Sequence, residues 1–165
     1  SGIPVDAVAI GDELPRLGEV SIRDSALGLG SLSTGARATY PPAYRREVSD
    51  RLSVAAARTR KFGSTGVDLA FVASGRLSAA VSFGNHAWDN AAGASHIRSG
   101  GGVVTDLAGQ QWSIESRSML AAGPLAHAEV LNTVSELGEP GTFLEVGRRR
   151  AAPEPESPRP RLEGE

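Results

Sequence analysis

Residues 77–102 constrain the fold more than any other stretch of the chain. Leu77, Ala79, Val81 and Phe83 alternate with Ser78, Ala80 and Ser82, the two-residue period of a β-strand. After a loop, residues 89–100 read DNAAGASHIRSG, a helix of small side chains that opens at Asp89 and stops at Gly100-Gly101-Gly102. A helix this slender can lie close against a sheet. Residues 103–107 form a second short strand, closed by a turn through Ala108-Gly109. Strand, thin helix and strand in succession call for helices layered on a sheet, an α/β architecture.

The flanking segments agree with that architecture. Residues 43–60 place Tyr44, Val48, Leu52, Ala55 and Ala56 on one helical face after Pro41-Pro42. Residues 64–74 repeat Val67, Ala70, Phe71 and Ser74 at helical spacing, with Ser64 as N-cap and Gly75 just past the end. Residues 26–33 read as extended despite Gly28 and Gly30, and residues 118–122 as extended. A last helix runs from Pro124, a favoured first-turn residue, to near Leu137.

Composition bounds what such a chain can do. Its 165 residues are 40% hydrophobic but only 5% aromatic, so the core rests on Ala, Val and Leu. Composition breaks near residue 148. The segment RRRAAPEPESPRPRLEGE holds four of the ten prolines and cannot bury enough apolar surface to offset its ordering entropy. We therefore expect one domain over residues 1–147 and a disordered tail over 148–165. A formal net charge of −2 argues against a dedicated nucleic-acid binder. The absence of cysteine excludes disulfides, thiolate zinc sites and a cysteine nucleophile. No apolar run approaches the ~20 residues of a membrane span. No charged-then-apolar signal pattern opens the chain; no membrane partner is expected, and a cytoplasmic location is the default expectation.

Candidate chemistry lies between residues 63 and 109. Asp89 stands at a helix start, where free N–H groups and the helix dipole keep a carboxylate ionised and able to bind a cation; an ordinary N-cap would look the same. Gly63-Ser64-Thr65-Gly66 also opens a helix and could offer N–H groups to hydroxyl or phosphate oxygens, though no Lys follows at Walker spacing. His86 lies three residues before Asp89 and His96 seven after it, so a His/Asp metal pair is conceivable. His127 is expected to be exposed, Asp68 to be structural or on the surface, and Asp106 to form a side-chain-to-backbone turn bond. No G-x-S-x-G elbow occurs, which argues against a serine hydrolase.

Taken together these elements resemble the C-terminal half of the inositol monophosphatase family. Residues 88–106, WDNAAGASHIRSGGGVVTD, are similar to that family's second signature, and residues 63–75, GSTGVDLAFVASG, to the element that precedes it. Ser1-Gly2-Ile3-Pro4-Val5 resembles the turn that begins this half in relatives. The resemblance covers roughly residues 1–138. It implies half of the layered αβαβα sandwich of the inositol monophosphatase/fructose bisphosphatase superfamily, and Mg²⁺-dependent hydrolysis of a small phosphorylated polyol. It further implies that Asp89 is a metal ligand that also contacts substrate, and that Gly63, Ser64 and Thr65 lie against the inositol ring. Family members are commonly dimers, so a homodimer is also implied.

Two departures qualify the resemblance. Ser82 stands where relatives place a Glu that holds a ring hydroxyl. That keeps histidinol phosphate, fructose 1,6-bisphosphate and 3′-phosphoadenosine nucleotides open as substrates. The family's first signature, D-P-x-D-G-T, and the acidic element ahead of it are absent. The expectation is therefore a fragment, inactive alone, since one aspartate binds Mg²⁺ weakly. A reading from another class is a non-catalytic half-domain that binds a partner through an exposed sheet face.

Overall fold

The structure, a computed structural model, describes residues 17–30, 40–84 and 87–143, without the side chains of Ala87 and Asp89. The expected tail at 148–165 and the Ser1–Val5 turn lie outside the described residues. Five strands and four helices follow in the order β1 (Ala26–Leu29), α1 (Pro42–Ala55), β2 (Arg58–Arg60), α2 (Thr65–Ala73), β3 (Ala79–Ser82), α3 (Ala87–Ser99), β4 (Val103–Thr105), β5 (Met119–Ala122) and α4 (Pro124–Ser135). They make one mixed sheet in the order β2-β1-β3-β5-β4. β1 runs parallel to both β2 and β3, with Leu27 opposite Thr59 and Ala79. β5 runs antiparallel to β3 and β4. No helix among the described residues is long and apolar enough to cross a membrane.

Alternation along the strands divides the core between the two sheet faces. Leu27, Leu29, Ala79, Val81, Leu120 and Ala122 pack with Tyr44, Val48 and Leu52 of α1 and Ala126, Val130 and Val134 of α4. Ala80, Met119, Ala121 and Val104 pack on the opposite face with Leu69 and Val72 of α2 and Ala94 and Ile97 of α3. Both faces are covered, which is why all four residues of β3 and all four of β5 are buried. The result is the three-layered α/β arrangement expected for half of the αβαβα sandwich.

Three local expectations change. The helix expected over 43–60 stops at Ala55, because Ala56 turns extended (φ −89°, ψ 150°) and residues 58–60 pair with β1 as a strand. Arg-Thr-Arg carries no helix breaker, so only the neighbouring strand decides its conformation. In α2 the buried face is Asp68, Leu69 and Val72, while Val67, expected inside, is 41% exposed. Six of the nine residues of α2 are apolar and they spread around the helix, so its periodicity names no unique face. α3 begins two residues earlier than expected, at Ala87, making Asp89 a first-turn residue rather than the one that opens the helix.

Candidate active site

α2 and α3 start at the same edge of the sheet. Each follows a parallel strand, β2 or β3, and each opens where that strand's carboxyl end is reached. In open α/β sheets this edge is where ligands collect. Gly63 supplies the entry turn to α2 with φ +76°, a conformation that favours glycine. Ser64 then adopts an extended backbone (φ −138°, ψ 115°) in the N-cap position, yet its hydroxyl makes no capping bond. The expected cap is thus present in backbone geometry only, and the Ser64 hydroxyl is left exposed beside Thr65. Asp89 lies in the first turn of α3, where the dipole still favours a carboxylate; its side chain lies outside the described residues.

Around this edge the apolar side chains stay open. Phe62 is 45% and Trp88 78% exposed, so no described segment covers the helix starts. Behind them sit two buried polar groups: Asp68, for which the structural one of its two expected readings holds, and Asn90, which sequence reasoning missed. Asp68 is 2% exposed and its Oδ1 has no hydrogen-bond partner; burial pushes its carboxyl up to about 6 from 3.8. Asn90 is 1% exposed, and neither its Oδ1 nor its Nδ2 is bonded. A signal for Asn90 was available, since it heads the stripe Asn90, Ala94, Ile97 at helical spacing.

Among the described residues, neither His96 nor His127 is placed to share a metal ion with the first turn of α3. His96 is exposed, seven residues along α3, which is about 10 Å along the axis and too far for one ion to bridge. His127, expected to be exposed, is buried on the opposite face of the sheet, where its Nε2 lies 2.8 Å from Thr105 Oγ1. His86 lies outside the described residues. Among the described residues, no group of three or more His, Cys, Asp or Glu could hold a metal ion. Ser82, buried at the end of β3, accepts a hydrogen bond from the Gly84 N–H at 3.4 Å. Asp106 forms the expected turn bonds: its Oδ1 accepts from the N–H groups of Ala108 and Gln110, both at 2.9 Å.

Comparison with known proteins fits this geometry. The model of the inositol monophosphatase family matches residues 23–139. The "Probable inositol 1-monophosphatase ImpA" of Mycobacterium tuberculosis is 47% identical over 129 residues, which is 78% of this chain and 48% of that protein. The inositol-1-monophosphatase ImpA of Mycolicibacterium smegmatis is 45% identical over 134 residues, 81% of this chain and 49% of that protein. Among solved structures, the Thermotoga maritima IMPase superposes with a TM-score of 0.62 at 28% identity, covering 76% of this chain and 46% of that one. The Bartonella henselae suppressor protein suhB reaches 0.67 at 21% identity over 76% of this chain and 48% of that one, a likeness of fold. The chain spans about half the length of the curated relatives it matches, and those matches correspond to their C-terminal half. The chain belongs to the inositol monophosphatase family.

Proposed function

We propose that the protein containing this chain hydrolyses phosphomonoesters of small polyols, inositol 1-phosphate first among them, with Mg²⁺ as cofactor. The supporting observation is that Gly63, Ser64 and Thr65 open α2 at the same sheet edge at which the first turn of α3 carries Asp89. Two helix starts at one edge offer N–H groups and favourable dipoles to an anion. The uncapped Ser64 hydroxyl is available to a substrate hydroxyl, and Asp89 takes the metal-binding role the family resemblance gives it. A bound Mg²⁺ would polarise the phosphate and lower the pKa of the attacking water. The described residues hold no complete ligand set; the other ligands would come from polypeptide outside them, and no hydrolytic step follows from these residues alone. For that reason we take the 165-residue chain to be inactive by itself. With family relatives as the guide, the whole protein is a cytoplasmic homodimer.

Ser82 at the end of β3 supports a second substrate set, namely histidinol phosphate, fructose 1,6-bisphosphate or 3′-phosphoadenosine nucleotides, because a short hydroxyl replaces the family's Glu there. The test is to express the complete open reading frame and the 165-residue chain side by side and measure phosphate release from this panel with and without Mg²⁺. The complete product should turn over a polyol phosphate only with Mg²⁺, lose that activity in Asp89→Asn, and outperform an inert isolated chain. Undiminished turnover by Asp89→Asn would overturn the reading.

A further inference from the structure

We propose that the β2 edge, from Arg58 to Phe62 together with Phe71 and Arg76, binds single-stranded nucleic acid. The net charge of −2 conceals how the cations are placed. Between Leu52 and Trp88 the sequence has a single acid, Asp68, and it is buried. Arg58, Arg60, Lys61 and Arg76 are all exposed in the same interval. Among the described residues none of the four pairs with a carboxylate, whereas Arg51 is engaged by Glu47 and Glu136. β2 ends the sheet, so Arg58 and Arg60, two residues apart, share a face about 6.6 Å from one another. That repeat suits neighbouring phosphates of one strand.

An aromatic platform continues the row. Phe62 meets Phe71 edge to face, with ring centroids 5.2 Å apart at 83°, and the Arg76 guanidinium lies 5.7 Å from the centre of the Phe71 ring. Phe62 is thereby propped in place while remaining 45% exposed. Cations alone on an edge strand can serve to repel other strands. A braced, exposed ring beside them does the opposite, since it adds sticky surface. Phosphate-tracking cations next to a stacking ring are the two elements by which proteins hold single strands without reading sequence. A charge-only contact with an acidic chain would use the cations and leave Phe62 idle.

The test is fluorescence anisotropy of a labelled oligouridylate of about 12 nucleotides with the full chain, titrated between about 50 and 200 mM salt. The expected result is salt-sensitive binding. The double variant Arg58→Ala/Arg60→Ala should flatten the slope of log K against log salt by about 1.4, at about 0.7 per cation removed. Phe62→Ala should weaken binding about tenfold at unchanged slope. All three side chains are exposed, and circular dichroism checks that the variants fold. Absence of binding overturns the proposal, and so does binding that ignores both variants, which would belong to other cations of the chain. Competition by polyglutamate as strong as by RNA, with Phe62→Ala silent, overturns it in favour of an acidic protein partner.

Discussion

Leu69 of α2 and Gly93 of α3 set the distance between the two helices of the candidate site. A Cβ placed on Gly93 would lie 2.6 Å from both Cβ and Cδ1 of Leu69. The Leu69 Cβ is fixed to the α2 backbone, so it cannot give way by rotation, and any side chain at 93 pushes the helices apart. Gly93→Ala should therefore cost about 1–3 kcal/mol, the usual range for overpacking, despite alanine's better helix propensity. Urea denaturation of the two chains measures it. Equal or greater stability of the variant would show that the seam has slack.

Asp68 makes stability depend on pH. Its carboxyl titrates at about 6 in the folded chain because burial penalises the charged form, against 3.8 ordinarily. The folded chain therefore holds its proton to higher pH than the unfolded chain. The stability this group provides is fully present below about pH 4 and is lost as pH rises through 6. The shift corresponds to about 2–3 kcal/mol. Asp68→Asn keeps the shape without the charge, so the variant should match the parent near pH 4 and exceed it by about that amount at pH 7. Urea midpoints at several pH values test this, and a gap that stays constant across the range would discount the titration.

How far the sequence spoke depended on whether a residue's environment was local. β3 and α4 were legible because alternation and Pro124 act within a few residues, and the turn at Asp106 because its bonds reach only Ala108 and Gln110. β2 was not legible: Arg58–Arg60 is extended only because β1 pairs with it. Of the candidate site, the two helix starts near Ser64 and Asp89 were legible. Its backing was legible only in part, since Asp68 read equally as structural or as surface and Asn90 is a polar residue inside a buried stripe, and such a position is not decided until the neighbouring helix is known. His127 failed for the same reason: its partner, Thr105, is supplied by β4.

His127 responds to pH in the opposite sense. Burial lowers its pKa from 6.5, so the folded chain keeps it neutral, and the associated stability is lost as pH falls through the ordinary histidine range. Its tautomer follows from the hydroxyl beside it. Thr105 Oγ1 donates its one proton to the Asp106 carbonyl at 2.8 Å, so His127 Nε2 must carry the proton and donate to Thr105. Nitrogen NMR of the imidazole should show the Nε2–H form at neutral pH. Thr105→Val strands that donor and should cost about 1–3 kcal/mol; Thr105→Ser should restore most of it. A neutral Nδ1–H form would reverse the assignment.

Glu129 ties the segment before β1 to α4. Its carboxylate accepts from the Ser21 hydroxyl at 2.7 and 3.0 Å and from the Ile22 N–H at 2.8 Å. Ile22 is buried in the α1/α4 face of the core, and its carbonyl in turn accepts from the Ala57 N–H just ahead of β2. One side chain of α4 thus anchors both the entry to β1 and the entry to the edge strand. Glu129→Ala leaves the Ile22 N–H without its partner and should cost about 2 kcal/mol, within the range for bonds to charged groups. Hydrogen exchange should locate the damage: faster exchange at Ile22 and Ala57, with little change in Met119–Ala122. Uniform acceleration across the sheet would mean that Glu129 acts on global stability rather than on this anchor.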